Sequence, residues 1–368
     1  MFNLSKISFT KFDPTSLSQD SLNSLVKLYS EYIDFRDTPL PKFSKKYYEK
    51  WIINPKYGDI EHIYYIAENI NTQTVVGMSV LRLNIGKDNL NLAFTYFFVK
   101  KQYRRKGIAK NLLKIVYKDI PEIVNKIIIY YRPEILDENR KMIENNRKLL
   151  IFLKKNHGIK VFTERRSISD IKSFDIKETI KKAHDLKEKA YNLGYDLFFI
   201  QGGVRNHPKI NFSAYVSMIE KITNDMPKED GSWSDVNFSP EFYENFQKHF
   251  ISLGHYFWTF VLVHRKSSLP IGMTETWFHS DNPTLAQQAD TGILHDHRGK
   301  GFGLTLKYQM LAKILTDKST QEIKHWQTSN ANSNTHMIKI NNELRHKEKV
   351  LFNEFEFKKE DVKNYLWK

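Results

Sequence analysis

The 368-residue chain contains no cysteine, which excludes disulfides and cysteine-based zinc sites. A reducing cytoplasm is the natural expectation for such a chain. Long apolar runs are missing too. The longest, such as YFWTFVLV at 256–263, are far too short to span a bilayer, and the opening MFNLSKISFTKFDPTSL lacks the apolar core of a secretion signal. No membrane partner is expected. Acidic residues are in deficit, 42 against 57 basic ones, for a formal charge of +15. That excess permits a polyanionic partner, but it is spread along the chain with no basic tail. A lysine-rich surface accounts for it, and nucleic acid is not an expected partner. Apolar and aromatic residues are plentiful, at 40% and 14%, and suffice to bury a core in each of two domains.

Two glycine-bearing loops stand out. HDHRGKGFGLTLKYQMLAKIL begins at His295, and VKKQYRRKGIAKNLLKIVYKDI begins at Val99. Arg104, Gly107 and Ala109 match Arg298, Gly301 and Gly303, 194 residues later. Each set opens an amphipathic helix. Gly77-Met78 and Gly272-Met273 repeat at an offset of 195. Two landmarks at nearly one offset identify a tandem duplication, not a short-period solenoid. The expected boundaries are 1–168 for the first copy, 169–193 for a bridging turn and charged helix, and 194–368 for the second copy.

Periodicity gives the same order of elements in both copies: a strand, two helices, a strand pair, a strand into the loop, a helix, a strand, a helix and a last strand. SPEFYENFQKHFISLG has a Ser cap, a Pro at its first position and a closing Gly, which predicts a helix from about 240. A glycine-rich turn into a helix suits an anion, because the first backbone N–H groups of a helix lack partners. Lys300 is followed by Gly301 where a P-loop needs Ser or Thr, so that motif fails. A dinucleotide fingerprint needs a glycine at Leu304 and an acid closing the next strand; Glu322 precedes that strand.

The pattern Arg-x-x-Gly-x-Gly/Ala between strand and helix resembles the coenzyme A site of the Gcn5-related N-acetyltransferase (GNAT) superfamily. KITNDMPKEDGSW, PIGMTETWF and ADTGILHDHRGKGFGLTLK together resemble bacterial tandem members. The resemblance covers most of the chain. It implies an α/β (α+β) fold of two GNAT-like domains, each a mixed, mostly antiparallel twisted sheet flanked by helices. It implies acetyl-CoA as cofactor, its pyrophosphate on the loop amides and its pantetheine arm in a gap where the following strand splays away. The implied cofactor residues of the second copy are Ile293, Leu294, Arg298, Gly299, Lys300, Gly301, Phe302, Gly303 and Leu304, with Asn330 and Asn334 from a later motif. Those of the first copy are Val99, Arg104, Arg105, Lys106, Gly107, Ile108 and Ala109.

Acetyl transfer to an amine needs a base, a donor to the thioester carbonyl, and at times an acid for the leaving thiolate. Glu275 aligns with Val80, and Asp290 with Tyr96. The loop strand of the first copy carries no acid. Glu275 and Asp290 are therefore the base candidates, the second copy is expected to be catalytic, and the first to be degenerate or regulatory. The alternative for both carboxylates is a structural ion pair. The tyrosine acid of the family is replaced by Asn341 in the second copy and Leu153 in the first. His295 and His297 lack a surrounding ligand cluster, and no metal is expected. Trp233 and Trp277 are aromatic candidates for an acceptor cleft. The leading reading is an N-acetyltransferase acting on a small-molecule or protein amine; the alternative is a non-catalytic acyl-CoA-binding or sensing protein.

Overall fold

Alternating apolar residues and capped helices set the order of elements in the computed structural model, which describes residues 4–13, 18–37, 40–132, 134–136 and 142–367. Strand β1 (Ile7–Lys11) leads through α1 (Gln19–Asp37) and α2 (Lys45–Ile53) to β2 (Lys56–Tyr57), β3 (Ile60–Asn69), β4 (Thr74–Asn84) and β5 (Leu92–Val99). Helix α3 (Ile108–Lys118) crosses to β6 (Lys126–Tyr131), and β7 (Glu134–Leu136), β8 (Met142–Asn145), α4 (Arg147–Lys155) and β9 (Ile159–Asp170) follow. Next come α5 (Ile176–Asn192), β10 (Tyr195–Gln201), α6 (Phe212–Asn224), α7 (Pro240–Ser252), β11 (His255–His264), β12 (Leu269–His279) and β13 (Leu285–Ile293). The chain closes with α8 (Phe302–Thr316), β14 (His325–Ala331), α9 (Thr335–Glu343), β15 (Lys347–Lys358) and α10 (Lys359–Trp367).

The chain forms two units. The first comprises Met1–Thr163, Glu229–Ser234 and Phe352–Lys368; the second comprises Glu164–Lys228 and Asp235–Leu351. The first unit's strands run in the order β1-β3-β4-β5-β6-β15, antiparallel except for β5 and β6. The second unit's strands run β9-β14-β13-β12-β11-β10, antiparallel except for β13 and β14. In each, a helix crossover makes the one parallel pair, as a parallel connection requires. Helices cover both sheet faces. Ile108, Leu112 and Val116 of α3 enter one core of the first unit, and Phe302, Leu306 and Met310 of α8 enter the matching core of the second.

The duplication extends to register. Gly77 pairs with Val99, and Gly272 pairs with Ile293. An irregularity falls between Ala67 and Glu68 in the first unit and between Leu262 and Val263 in the second, again 195 residues apart. Local signals hold as well. Ser239 caps α7, its hydroxyl accepting from Phe242 N–H at 3.0 Å, and Gly254 closes the turn after the helix at φ +102°. Helix α5 is capped by Asp175 and buries Thr179, Ala183 and Ala190, so it is a packed helix and not a flexible tether. Helix α10 is an addition that the periodicity of the two copies does not anticipate. Trp233 stacks on Phe94 at 4.7 Å within the first unit, so it serves as packing there and does not line an acceptor cleft in the second.

Candidate active site

Gly301 caps α8 at φ +82°, and Gly107 caps α3 at φ +81°. Only glycine adopts this region without cost, and a Cβ at Gly299 or Gly301 would meet nothing within 4 Å. The glycines therefore serve chain direction and leave open space above the loop. Gly303 differs: its Cβ would come within 3.2 Å of Ile340, so this residue allows α8 to approach α9. In the first copy Arg105, φ +59°, stands where Gly299 stands in the second. Among the described residues, the backbone N–H groups of Gly299 to Leu304 donate no hydrogen bond within the chain. They form a partnerless donor set at a positive helix end, which fits a phosphate or pyrophosphate.

The loop arginines do something other than face that space. Arg298 Nε donates to the Ile293 carbonyl at 2.8 Å, and Arg104 Nε donates to the Val99 carbonyl at 2.9 Å. Each arginine thus ties the loop to the last residue of its strand. Arg298 Nη2 also pairs with Asp225 at 2.6 Å. Lys300 donates to the Tyr195 hydroxyl at 3.0 Å, which bonds His297 Nδ1 at 2.8 Å. Lys106 lies over the Tyr103 ring. Ile293, Val99, Ile108 and Phe302 are buried core residues, while Leu294 donates its N–H to Ile271 at 2.8 Å. Ala109 packs beside the same core as Ile108, and Leu304 is half-buried. Asn334 caps α9, its side chain accepting from Met337 N–H at 3.1 Å.

Beside each loop the sheet opens. Strand β13 is in register with β14 only over Leu285–Gln287, although it continues to Ile293; β5 is in register with β6 only over Leu92–Thr95 and continues to Val99. The second copy adds a distortion that the first lacks. In the first, Ser79, Val80 and Leu81 pair in sequence with Phe97, Tyr96 and Thr95. In the second, Thr274 pairs with Thr291 and Thr276 with Gln288, so β13 carries an extra residue opposite Glu275. Buried Gln288 pins this bulge, its Nε2 reaching the carbonyls of Glu275 at 2.7 Å and Asp290 at 3.3 Å.

The bulge brings Glu275 and Asp290 into one electrostatic neighbourhood. Glu275 is buried and accepts from Trp277 Nε1 at 2.5 Å and Thr259 Oγ1 at 3.2 Å. Burial, reinforced by the Asp290 charge, pushes its carboxyl up to about 7. Asp290 is open to solvent yet walled by protein, and that crowding raises its carboxyl above the ordinary range. Neither carboxylate makes an ion pair among the described residues, so the structural-pair alternative has no counterpart here. Tyr215 and Tyr243 lie buried nearby, and burial and the Glu275 charge hold both phenols protonated. The first copy fills the same place with rings. Tyr96 stacks on Tyr32 at 5.0 Å, its hydroxyl 3.5 Å from that of Tyr29, and Tyr64 lies opposite Val80.

Sequence reasoning missed Gln288, Thr259 and the buried Lys307, whose Nζ donates to Asn341 Oδ1 at 2.6 Å. A lysine inside an apolar helical stripe reads as ordinary until its face is known. A groove of about 1120 Å³ between the end of α3 and α10 includes Lys126, Lys359, Lys363 and Trp367. Neither glycine loop nor either sheet opening lines it, so the chemistry is not placed there.

The family model for "Acetyltransferase (GNAT) family" matches residues 25–133. No curated protein matches the sequence. Among solved structures, a tandem GNAT protein from the clavulanic acid biosynthesis pathway superposes with a TM-score of 0.71 at 15% identity, covering 96% of this chain and 98% of that one. A GCN5-related N-acetyltransferase from Sphaerobacter thermophilus gives 0.61 at 9% identity, covering 96% of each chain. A GCN5-related glucosamine N-acetyltransferase region of a fungal multi-domain GH3 β-N-acetylglucosaminidase also gives 0.61, at 11% identity, with 95% of this chain and 38% of that one covered. Residues 25–133 of the first copy thus match the model of the GNAT family, and the second copy repeats the same fold in register, in a tandem arrangement that this chain shares with these structures.

Proposed function

We propose that the protein is an acetyl-CoA-dependent N-acetyltransferase that moves an acetyl group to a primary amine, with the chemistry in the second copy, residues 194–368. The first copy, residues 1–168, is then a degenerate or regulatory partner, joined through 169–193. One observation carries the reading. Two unpaired carboxylates, one raised to about 7, lie at a pinned bulge in the strand that runs into a loop of partnerless amides.

The amides of Gly299 to Leu304 would hold the cofactor's pyrophosphate, and the open edge of β13 would flank its arm. When bound, acetyl-CoA supplies an activated acyl carbonyl. Glu275 and Asp290 draw the ammonium form of the acceptor and take its proton; a carboxylate near 7 is matched to that task at neutral pH. Thr259 and Trp277 hold Glu275 in place. Acceptors are small-molecule or protein amines.

Calorimetric titration of the intact chain with acetyl-CoA, alongside an acceptor screen of Glu275→Ala and Asp290→Ala, tests this. One cofactor site with lost turnover in both variants supports the reading. Absence of cofactor binding, or unchanged turnover, removes it. A non-catalytic acyl-CoA sensor is favoured by one observation: Asn341 and Leu153 supply no acid where the family has tyrosine. Binding with no turnover on any amine would select it.

A further inference from the structure

Three polar side chains form a file from the interior of the second unit to the part of β14 that lies beyond its register with β13. Lys307 on α8 is 1% exposed. Its Nζ donates to Asn341 Oδ1 at 2.6 Å, and Asn341 Nδ2 donates to Asn330 Oδ1 at 2.6 Å. Among the described residues Lys307 makes no ion pair. Its neighbours are the Trp326 ring, 5.9 Å away, and His346, which burial drives down to about 3 and so leaves neutral. Burial likewise lowers the Lys307 ammonium, to about 7.

A buried ammonium without a counter-charge is destabilising. The first copy shows that the fold does not need it: Leu113 and Leu153, both buried, occupy the positions of Lys307 and Asn341. The direction of the file follows from chemistry. The protonated form of Lys307 has donors only, so the Asn341 oxygen faces it. Asn341 must then offer its NH₂ to Asn330, whose oxygen is taken. Asn330 keeps its own NH₂ without a partner among the described residues. It is half-buried on β14, beyond Gln327, the last residue in register with β13.

We propose that Lys307 and Asn341 are positioning residues that lock Asn330 as a hydrogen-bond donor into the opening between β13 and β14, where it grips an acceptor oxygen of the acyl-CoA arm. The proposal rests on the function proposed above. Lys307 itself touches no ligand; it sets which end of two amides points outward.

The test is calorimetric titration of the full chain with CoA, in wild type, Lys307→Met, Asn330→Ala and their double variant. Side-chain amide exchange of Asn330 is measured by NMR without ligand. Each single change should weaken CoA binding about tenfold, and the double variant should lose no more than either, because one interaction is removed three ways. Asn330 amide exchange should speed up in Lys307→Met while Tm holds or rises. Wild-type affinity in Lys307→Met, or fully additive losses, would overturn the relay alone. A wild-type chain that binds no CoA would overturn the functional reading, and this proposal with it. If Lys307→Met does not fold, the Lys307→Leu/Asn341→Leu pair, which copies the first copy's packing, takes its place: a tenfold loss of CoA affinity supports the relay, and wild-type affinity overturns it.

Discussion

Val80 and Tyr96 in one copy, and Glu275 and Asp290 in the other, occupy equivalent positions on equivalent strands. Around the first pair, stacked tyrosines fill the space; around the second, β13 bulges and leaves Glu275 buried beside an exposed Asp290. The same division recurs where α3 and α8 pack, with Leu113 and Leu153 answering Lys307 and Asn341. What both copies keep is the frame: the left-handed glycine at the helix start, the arginine tied to the strand's last carbonyl, and the glycine beneath that strand. A duplicated fold can thus hold its loop geometry by backbone constraints while its interior differs between copies, polar in one and apolar or aromatic in the other.

The largest effect expected from breaking this asymmetry is chemical. Glu275→Gln or Asp290→Asn should cut turnover by roughly 10²- to 10⁴-fold with CoA affinity kept, the range of a lost general base. Tyr96→Phe in the first copy should leave turnover unchanged. Steady-state kinetics on both sets measures the contrast. Next comes the loop. A side chain at Gly301 would stand in the open space above the loop, so Gly301→Leu should weaken CoA binding about tenfold or more. Gly107→Leu should not affect a site confined to the second copy, and calorimetry on the two variants shows whether it is so confined.

The pH dependence is smaller but has a definite sign. The Glu275 carboxyl is raised from 4.5 to about 7, so the folded state holds a proton that the unfolded state releases. Stability should fall as pH rises between those values, and Glu275→Gln should flatten that slope in urea titrations. Turnover should rise through about pH 7 as the same group ionises. Smallest is a gain. Lys307→Leu/Asn341→Leu removes a buried cation in favour of the first copy's apolar pair, and should raise stability by about 1–4 kcal/mol at neutral pH, measured as Tm.

Much of the fold is legible in the residues alone. The Ser239 cap and Pro240 mark the start of α7, and the repeated glycine loops mark α3 and α8. The offsets of 194 and 195 already set Glu275 against Val80. The candidate site is legible only in part. Arg298 reads as an anion ligand beside glycines, yet its guanidinium is spent on Ile293 and Asp225. Gln288 reads as one polar residue in a strand, yet it pins the bulge.

By itself, the sequence determined the periodicities, the caps, the turns where glycine avoids backbone strain, and the duplication. These depend on a residue's near neighbours, and a one-dimensional pattern records them. Tertiary structure alone decided that Phe352–Lys368 completes the first unit, that β13 bulges opposite Glu275, and that Lys307 points at an amide rather than at water. Each of those depends on which distant segments meet. Burial then turns the meeting into chemistry, because a charge that would be ordinary in solvent shifts or must find a partner once water is removed.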